Sequence, residues 1–299
     1  AVTTLLVPIT PYPRPALPKC TQVSVFWISA NGPKFKAVPK LDLKKSQRLF
    51  KISPKPKTYP LTLILFPYVS MKTQLAKLIR PDLQNFSGYQ PGVWVDPSLS
   101  KIIKLDSGEN PYINSKYAFY PDPQSTQLRN KLSLYVKVSP SQIVCGNGSD
   151  ELIDLITRVF INPGDEIIIN PPTFAMYKFY GLLNRAKIIS VPRLSTLEID
   201  TGAVLKNINT NTKLIFIDSP GNPAGTTIKQ DQLIQILKSN IVVCVDEAYF
   251  EYCGQSCVSL LKSYPNLIIL RTFSKWAGLA SLRLGYLLAN PLIISVVTS

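Results

Sequence analysis

The sequence contains no histidine among its 299 residues. That absence excludes Ser-His-Asp and Cys-His nucleophile pairs, an imidazole general base, and any histidine-ligated zinc or haem site. If the chain is an enzyme, its chemistry falls to Lys, Tyr, Asp, Glu, Cys or a cofactor. Long apolar runs are missing too. Nothing approaches the ~18 residues that span a bilayer, and the apolar stretch 61–69 is short and broken by Pro67. Residues 1–10 are apolar but have no basic residues before them, so they do not read as a secretory signal. Cysteine is sparse: Cys20, Cys145, Cys244, Cys253 and Cys257 form no paired framework. Cys253 and Cys257 have a loosely zinc-like spacing but no second pair. The expectation is reduced thiols in a cytoplasmic setting, with no metal site.

Acidic residues are also short in number, 18 against 33 Lys+Arg, for a net charge of +15. The imbalance is local. Residues 1–70 hold 11 basic residues, one acid (Asp42) and 11 of the 26 prolines, whereas the remainder holds 22 basic and 17 acidic residues. Segments such as Pro11-Tyr-Pro-Arg-Pro-Ala-Leu-Pro and Ser53-Pro-Lys-Pro-Lys show no sustained period and predict an extended or disordered basic extension over 1–70. The charge therefore marks an appended segment, with no recognisable nucleic-acid-binding fold. A role in organelle targeting stays open for it. Ala1 in place of Met points to a fragment or a processed form, and Met71 reads as a natural initiator. Residues 71–107 read as an N-terminal arm, and 108–299 as the main domain.

From about residue 105 the pattern changes. Leu128, Leu132, Tyr135 and Val136 fall on one helical face, and Leu152, Leu155, Ile156 and Val159 do so again after the capping-type start Ser149-Asp150-Glu151. Leu233, Ile236 and Leu237 give another helix. Short apolar runs at 166–169, 187–191, 214–217, 241–245 and 267–270 are bounded by turns, the first preceded by Asn162-Pro-Gly-Asp. Continuously apolar strands alternating with helices predict an α/β fold, a mostly parallel central sheet with helices on both faces.

In such a sheet, function gathers beyond the carboxyl ends of the strands. The run 214–217 is followed by Asp218-Ser-Pro-Gly-Asn-Pro-Ala-Gly-Thr, 241–245 by Asp246-Glu-Ala-Tyr249, and 267–270 by Arg271-Thr-Phe-Ser274-Lys275, with Arg283 further on. An amide, a carboxylate with a phenol, and an amine with a guanidinium meet the needs of pyridoxal phosphate. Its aldehyde takes a lysine, its ring nitrogen a carboxylate, its phenolic oxygen donors, and its phosphate hydroxyls, an arginine and a helix N-terminus. The residues alone leave other readings open. Asp246-Glu also suits a metal-binding or Walker-B-like strand end, although no Gly-rich loop with Lys precedes it. Ser274-Lys275 also suits a solvated pair, and Asn222-Pro an ordinary turn.

Seven ordered segments resemble the fold-type I, class II pyridoxal-phosphate aminotransferases, most of all the histidinol-phosphate aminotransferases. They are Gly108-Glu-Asn-Pro-Tyr, Tyr120-Pro-Asp-Pro-Gln-Ser-Thr-Gln-Leu-Arg, Gly146-Asn-Gly-Ser-Asp-Glu, Pro171-Pro-Thr-Phe-Ala-Met-Tyr, Ser219-Pro-Gly-Asn-Pro-Ala-Gly-Thr, Val245-Asp-Glu-Ala-Tyr and Thr272-Phe-Ser-Lys-Trp-Ala-Gly-Leu-Ala. The resemblance implies that Lys275 bonds the cofactor's aldehyde and then carries the substrate's proton. It implies that Asp246 pairs with the ring nitrogen, and that Tyr249 and Asn222 bond the phenolic oxygen. Ser274, Thr272 and Arg283, with the backbone of Ser149 and Asp150, hold the phosphate. Phe174 stacks on the ring where many members have Tyr. Tyr120 reaches the phosphate from the second subunit of a homodimer. The implied reaction is transamination of L-histidinol phosphate with 2-oxoglutarate in histidine biosynthesis. Relatives acting on aromatic amino acids or on threonine phosphate share most of these segments.

The chain departs from the family in two places. Gly108 stands where Asn is usual. Family members also continue well past the position of Ser299 into a small domain whose arginines grip the substrate. The expectation is thus a large domain with that C-terminal small domain missing, either an incomplete aminotransferase or a non-catalytic, cofactor-binding remnant.

Overall fold

The computed structural model describes residues 75–84, 107–110, 112–113 and 117–298. The expected extension over 1–70 and most of the arm over 71–107 lie outside the described residues. In chain order the elements are α1 (Thr126–Val136), β1 (Ile143–Asn147), α2 (Gly148–Phe160), β2 (Glu166–Ile169), α3 (Ala175–Leu183), β3 (Lys187–Ser190), α4 (Thr201–Asn207), β4 (Thr212–Asp218), α5 (Gln230–Leu237), β5 (Val242–Asp246), α6 (Phe250–Cys253), β6 (Leu267–Thr272), β7 (Leu284–Ala289) and α7 (Pro291–Val297).

The strands form one sheet in the order β1-β7-β6-β5-β4-β2-β3. The pairs from β6 through β3 are parallel, and only β7 runs against its neighbours β1 and β6. β1 therefore points the same way as the five parallel strands, and six carboxyl ends share one edge of the sheet.

Side chains alternate between two apolar layers, as the pleat requires. Leu214, Phe216, Val242, Cys244, Ile268 and Leu270 pack with Leu152, Ile153, Ile156 and Phe160 of α2, Tyr177 of α3 and Ile293 of α7. Ile215, Ile217, Val243, Val245, Leu267 and Ile269 pack on the other side with Leu132 and Val136 of α1, Val204 of α4 and Leu233, Ile236 and Leu237 of α5. Helices thus cover both faces. Ile156 is fully buried, so Ile156→Ala removes about 2–5 kcal/mol of stability.

All five expected strands are present, that over 166–169 with the expected ends and the others with ends shifted by at most two residues. Three features differ from expectation. Tyr135 is half exposed on α1, where Leu132 and Val136 are buried and Leu128 packs partly buried against the same core. α2 starts one residue earlier, at Gly148, so Ser149 is not its cap; Asn147 is, and its amide N–H is accepted by the Glu151 carboxylate. Finally, β1 and β7 were not expected as strands. Each carries a glycine, and Gly146 and Gly285 are register partners. A Cβ at Gly285 would meet the Gly148 carbonyl carbon and the Ser149 nitrogen at 2.5 Å, and one at Gly146 would meet Leu152 at 2.8 Å. The glycines let α2 sit directly on the sheet, which brings its first turn to the edge where the strands end.

Candidate active site

One cleft opens at that edge, lined by Ser149, Asp150, Phe174, Tyr177, Asp218, Pro220, Asn222, Asp246, Ala248, Tyr249, Thr272, Ser274, Lys275 and Arg283. Ten of the eleven residues singled out from the sequence are in it. Tyr120 is not. It is 67% exposed, and its backbone N–H donates to Glu109 Oε1 at 2.8 Å.

At the floor lies Asp246, the last residue of β5, only 5% exposed. Its Oδ1 accepts the Ala248 amide N–H at 2.9 Å and its Oδ2 accepts the Tyr177 hydroxyl at 2.7 Å. Burial raises its pKa to about 6; the Tyr177 and Ala248 hydrogen bonds oppose the rise, and the Asp218 and Asp150 carboxylates add to it. Burial also pushes the Tyr177 phenol well above its ordinary range, with Asp246 and Asp218 reinforcing the shift. Tyr177 is therefore a donor at any working pH. A buried carboxylate bonded only by neutral donors is suited to a cation in the cleft.

Asp218 occupies the matching position on β4, in register with Asp246, but its surroundings differ. It forms a buried ion pair with Arg193 and accepts the Thr173 hydroxyl at 2.8 Å and the Asn222 amide N–H at 2.7 Å. Arg193 also donates to the carbonyls of Asn170 and Pro172 at 3.1 Å and of Leu197 at 3.2 Å. This pair joins the loops that carry Phe174 and Asn222, so both are placed by one buried contact.

The far wall comes from β6, β7 and the segment between them. The Phe273 N–H donates to Leu284 O at 3.0 Å, and the Ser274 N–H to Thr272 Oγ1 at 3.1 Å. Lys275 Nζ stands 5.5 Å from the centre of the Tyr249 ring, within cation–π range. Arg283 has a left-handed backbone, φ 48°, and its guanidinium bonds Asp150 at 3.2 Å. A Cβ at Gly148 would come within 2.7 Å of that guanidinium. The first-turn N–H groups of α2, which lack intrahelical acceptors, face the same corner with the positive end of the helix dipole. Hydroxyls of Ser149, Thr272 and Ser274 complete it.

The donor set fits pyridoxal phosphate. A primary amine suits its aldehyde, a buried carboxylate with neutral partners suits its cationic ring nitrogen, and the corner of hydroxyls, guanidinium and helix N-terminus suits a phosphate dianion. Sequence reasoning passed over Tyr177, Asp218 and Arg193 as site residues. Asp218 was within reach, since it ends β4 as Asp246 ends β5. Nothing in the sequence ties Arg193 to Asp218, 25 residues on. Among the described residues, no group of three or more Cys, Asp or Glu could hold a metal ion.

The model of the family Aminotransferase class I and II matches residues 101–299. The chain belongs to this family, which depends on pyridoxal 5'-phosphate, and its sheet is the large domain of the fold-type I architecture. Within the family it is similar to histidinol-phosphate aminotransferases. It is 50% identical over 238 residues to that of Dehalococcoides mccartyi (strain CBDB1), covering 75% of this chain and 66% of that protein. It is 42% identical over 240 residues to that of Roseiflexus castenholzii, covering 72% and 65%. The crystal structure of histidinol-phosphate aminotransferase from Sinorhizobium meliloti in complex with pyridoxal-5'-phosphate matches with a TM-score of 0.56 at 25% identity, covering 59% of this chain and 50% of that chain. The chain thus spans slightly less than two thirds of the length of these curated relatives.

Proposed function

We propose that the chain carries the cofactor-binding part of a histidinol-phosphate aminotransferase, which moves the amino group of L-histidinol phosphate to 2-oxoglutarate. The observation that supports this most is the meeting of Lys275, Asp246 and the Ser149–Arg283 corner in one cleft, together with 50% identity to a histidinol-phosphate aminotransferase. Bound pyridoxal phosphate supplies an electron-withdrawing ring that stabilises negative charge at the substrate carbon.

In this reading each side chain has one task. Lys275 Nζ would hold the cofactor by its aldehyde, and the same amine is placed to carry the proton to and from the substrate carbon. Asp246 holds a proton on the ring nitrogen. Tyr249 and Asn222 donate to the phenolic oxygen, and Phe174 covers one face of the ring. Ser149, Asp150, Thr272, Ser274 and Arg283 fix the phosphate and thereby orient the reacting atoms. Tyr120, exposed and outside the cleft, serves the phosphate site of a second copy in a homodimer. The proposed compartment is the cytoplasm, in keeping with free thiols at Cys145, Cys244, Cys253 and Cys257. No described helix is long and apolar enough to cross a membrane.

Titrating the protein with pyridoxal phosphate tests the reading. We expect a visible absorbance band that is abolished in Lys275→Ala and that L-histidinol phosphate bleaches. A folded chain that gives no band would falsify the assignment. In the whole protein, consumption of L-histidinol phosphate that depends on 2-oxoglutarate tests the substrate, with aromatic amino acids and threonine phosphate as competitors.

A further inference from the structure

We infer that Tyr177 is a positioning residue for the Asp246 carboxylate, and that the two act as a unit on the cationic ring nitrogen of the cofactor. The inference deepens the proposed function and rests on its reading of Asp246. Tyr177 is 0% exposed, and its hydroxyl donates to Asp246 Oδ2 at 2.7 Å. Its ring is held from two directions: stacked on Phe216 at 4.6 Å with an interplanar angle of 3°, and met edge-on by Phe174 at 5.6 Å. A phenol fixed in this way cannot turn its hydroxyl elsewhere.

The register partners Asp218 and Asp246 explain why a phenol stands here. Asp218 has Arg193, and its charge is spent within the protein. A guanidinium on Asp246 would do the same and leave nothing for the ring. A hydroxyl fixes the carboxylate's orientation and favours its ionised form without cancelling its charge. The groups facing Asp246 are Tyr177 from α3, Asp218 from β4, Asp150 from α2 and the Ala248 amide, with Cys244 preceding it on β5. Lys275 and Arg283 line the same cleft. Neither donates to Asp246.

Tyr177→Phe keeps the stacked ring and removes only the hydroxyl. Pyridoxal-phosphate affinity should be measured by equilibrium dialysis between pH 5.5 and 8.5 for the wild type, Y177F, Asp246→Ala and the double variant, with circular dichroism as the fold check. We expect Y177F to bind about tenfold more weakly, with the loss of affinity on acidification setting in at higher pH. In the Asp246→Ala background, Y177F should cost nothing further. An equal loss in both backgrounds means that Tyr177 is only structural and overturns the inference, as does wild-type affinity in Y177F when Asp246→Ala is impaired. Wild-type affinity in Asp246→Ala overturns the underlying reading of Asp246 and the inference with it.

Discussion

Asp246 and Glu247 are consecutive at the end of β5, both almost fully buried, and they leave the sheet on opposite sides. Asp246 faces the cleft on the side of α2 and α3, with two neutral donors. Glu247 turns to the other side, where Arg271 donates to its Oε2 from Nη2 at 2.8 Å and from Nε at 3.0 Å. The Ser256 hydroxyl and the Cys257 amide complete its set, and the Arg271 guanidinium lies 3.5 Å from the centre of the Phe250 ring. The difference separates two uses of a buried acid. Where a carboxylate and a guanidinium neutralise each other, the charge serves the fold. Where a carboxylate is held by neutral groups, its charge stays available to a ligand.

The strongest way to break this comparison is to remove the cation on the structural side. Arg271→Met leaves Glu247 buried and unpaired, and we expect a loss of about 3–5 kcal/mol in urea unfolding. A loss below about 1 kcal/mol would mean that Glu247 is no more structural than Asp246. On the cleft side the expected signature is pH dependence. The folded pKa of Asp246, about 6, lies above the ordinary value of 3.8. The ligand-free fold therefore holds this proton more tightly than the unfolded chain does. The stabilisation is complete below about pH 4 and is lost as the pH rises through about 6, a swing of about 3 kcal/mol. Melts of ligand-free wild type and Asp246→Asn should diverge over that window, and parallel curves would refute the assigned environment.

A smaller change sharpens the comparison without touching either acid. Gly285→Ala pushes against the start of α2 and should cost about 1–3 kcal/mol, while weakening pyridoxal phosphate more than pyridoxal in a binding titration. The least effect on folding belongs to Arg283→Ala. Its ion pair with Asp150 is 46% and 37% exposed, so unfolding should change by less than about 1 kcal/mol, yet phosphate-dependent affinity should fall. Equal losses for pyridoxal and its phosphate would remove Arg283 from the phosphate corner.

Much of this was legible in the sequence, and the gaps have physical causes. The parallel strands announced themselves as unbroken apolar runs because both their faces are covered. β1 and β7 did not, since Gly146 and Gly285 weaken strand propensity for the sake of the helix resting on them. Lys275, Asp246 and Asn222 stood out because each lies at or just beyond a strand end. Tyr177 ends one of the quoted segments but gave no sign of its role, because its ring is core and only its hydroxyl belongs to the site. Side-chain pairs across loops, such as Arg193 with Asp218, leave no periodic trace.

That last pair has a mechanical consequence. One guanidinium bonds the carbonyls of Asn170, Pro172 and Leu197 as well as Asp218. Three loops are thereby riveted at a single buried point, and Phe174 and Asn222 can only shift together, as one jaw. The segment between Lys275 and Arg283, which lines the cleft only at its two ends, has a different character. There, residues 276–282 include the half-exposed or exposed Trp276, Leu279 and Leu282. The cleft thus has one wall whose two loops are clamped together from behind, by a buried guanidinium that does not itself line the cleft.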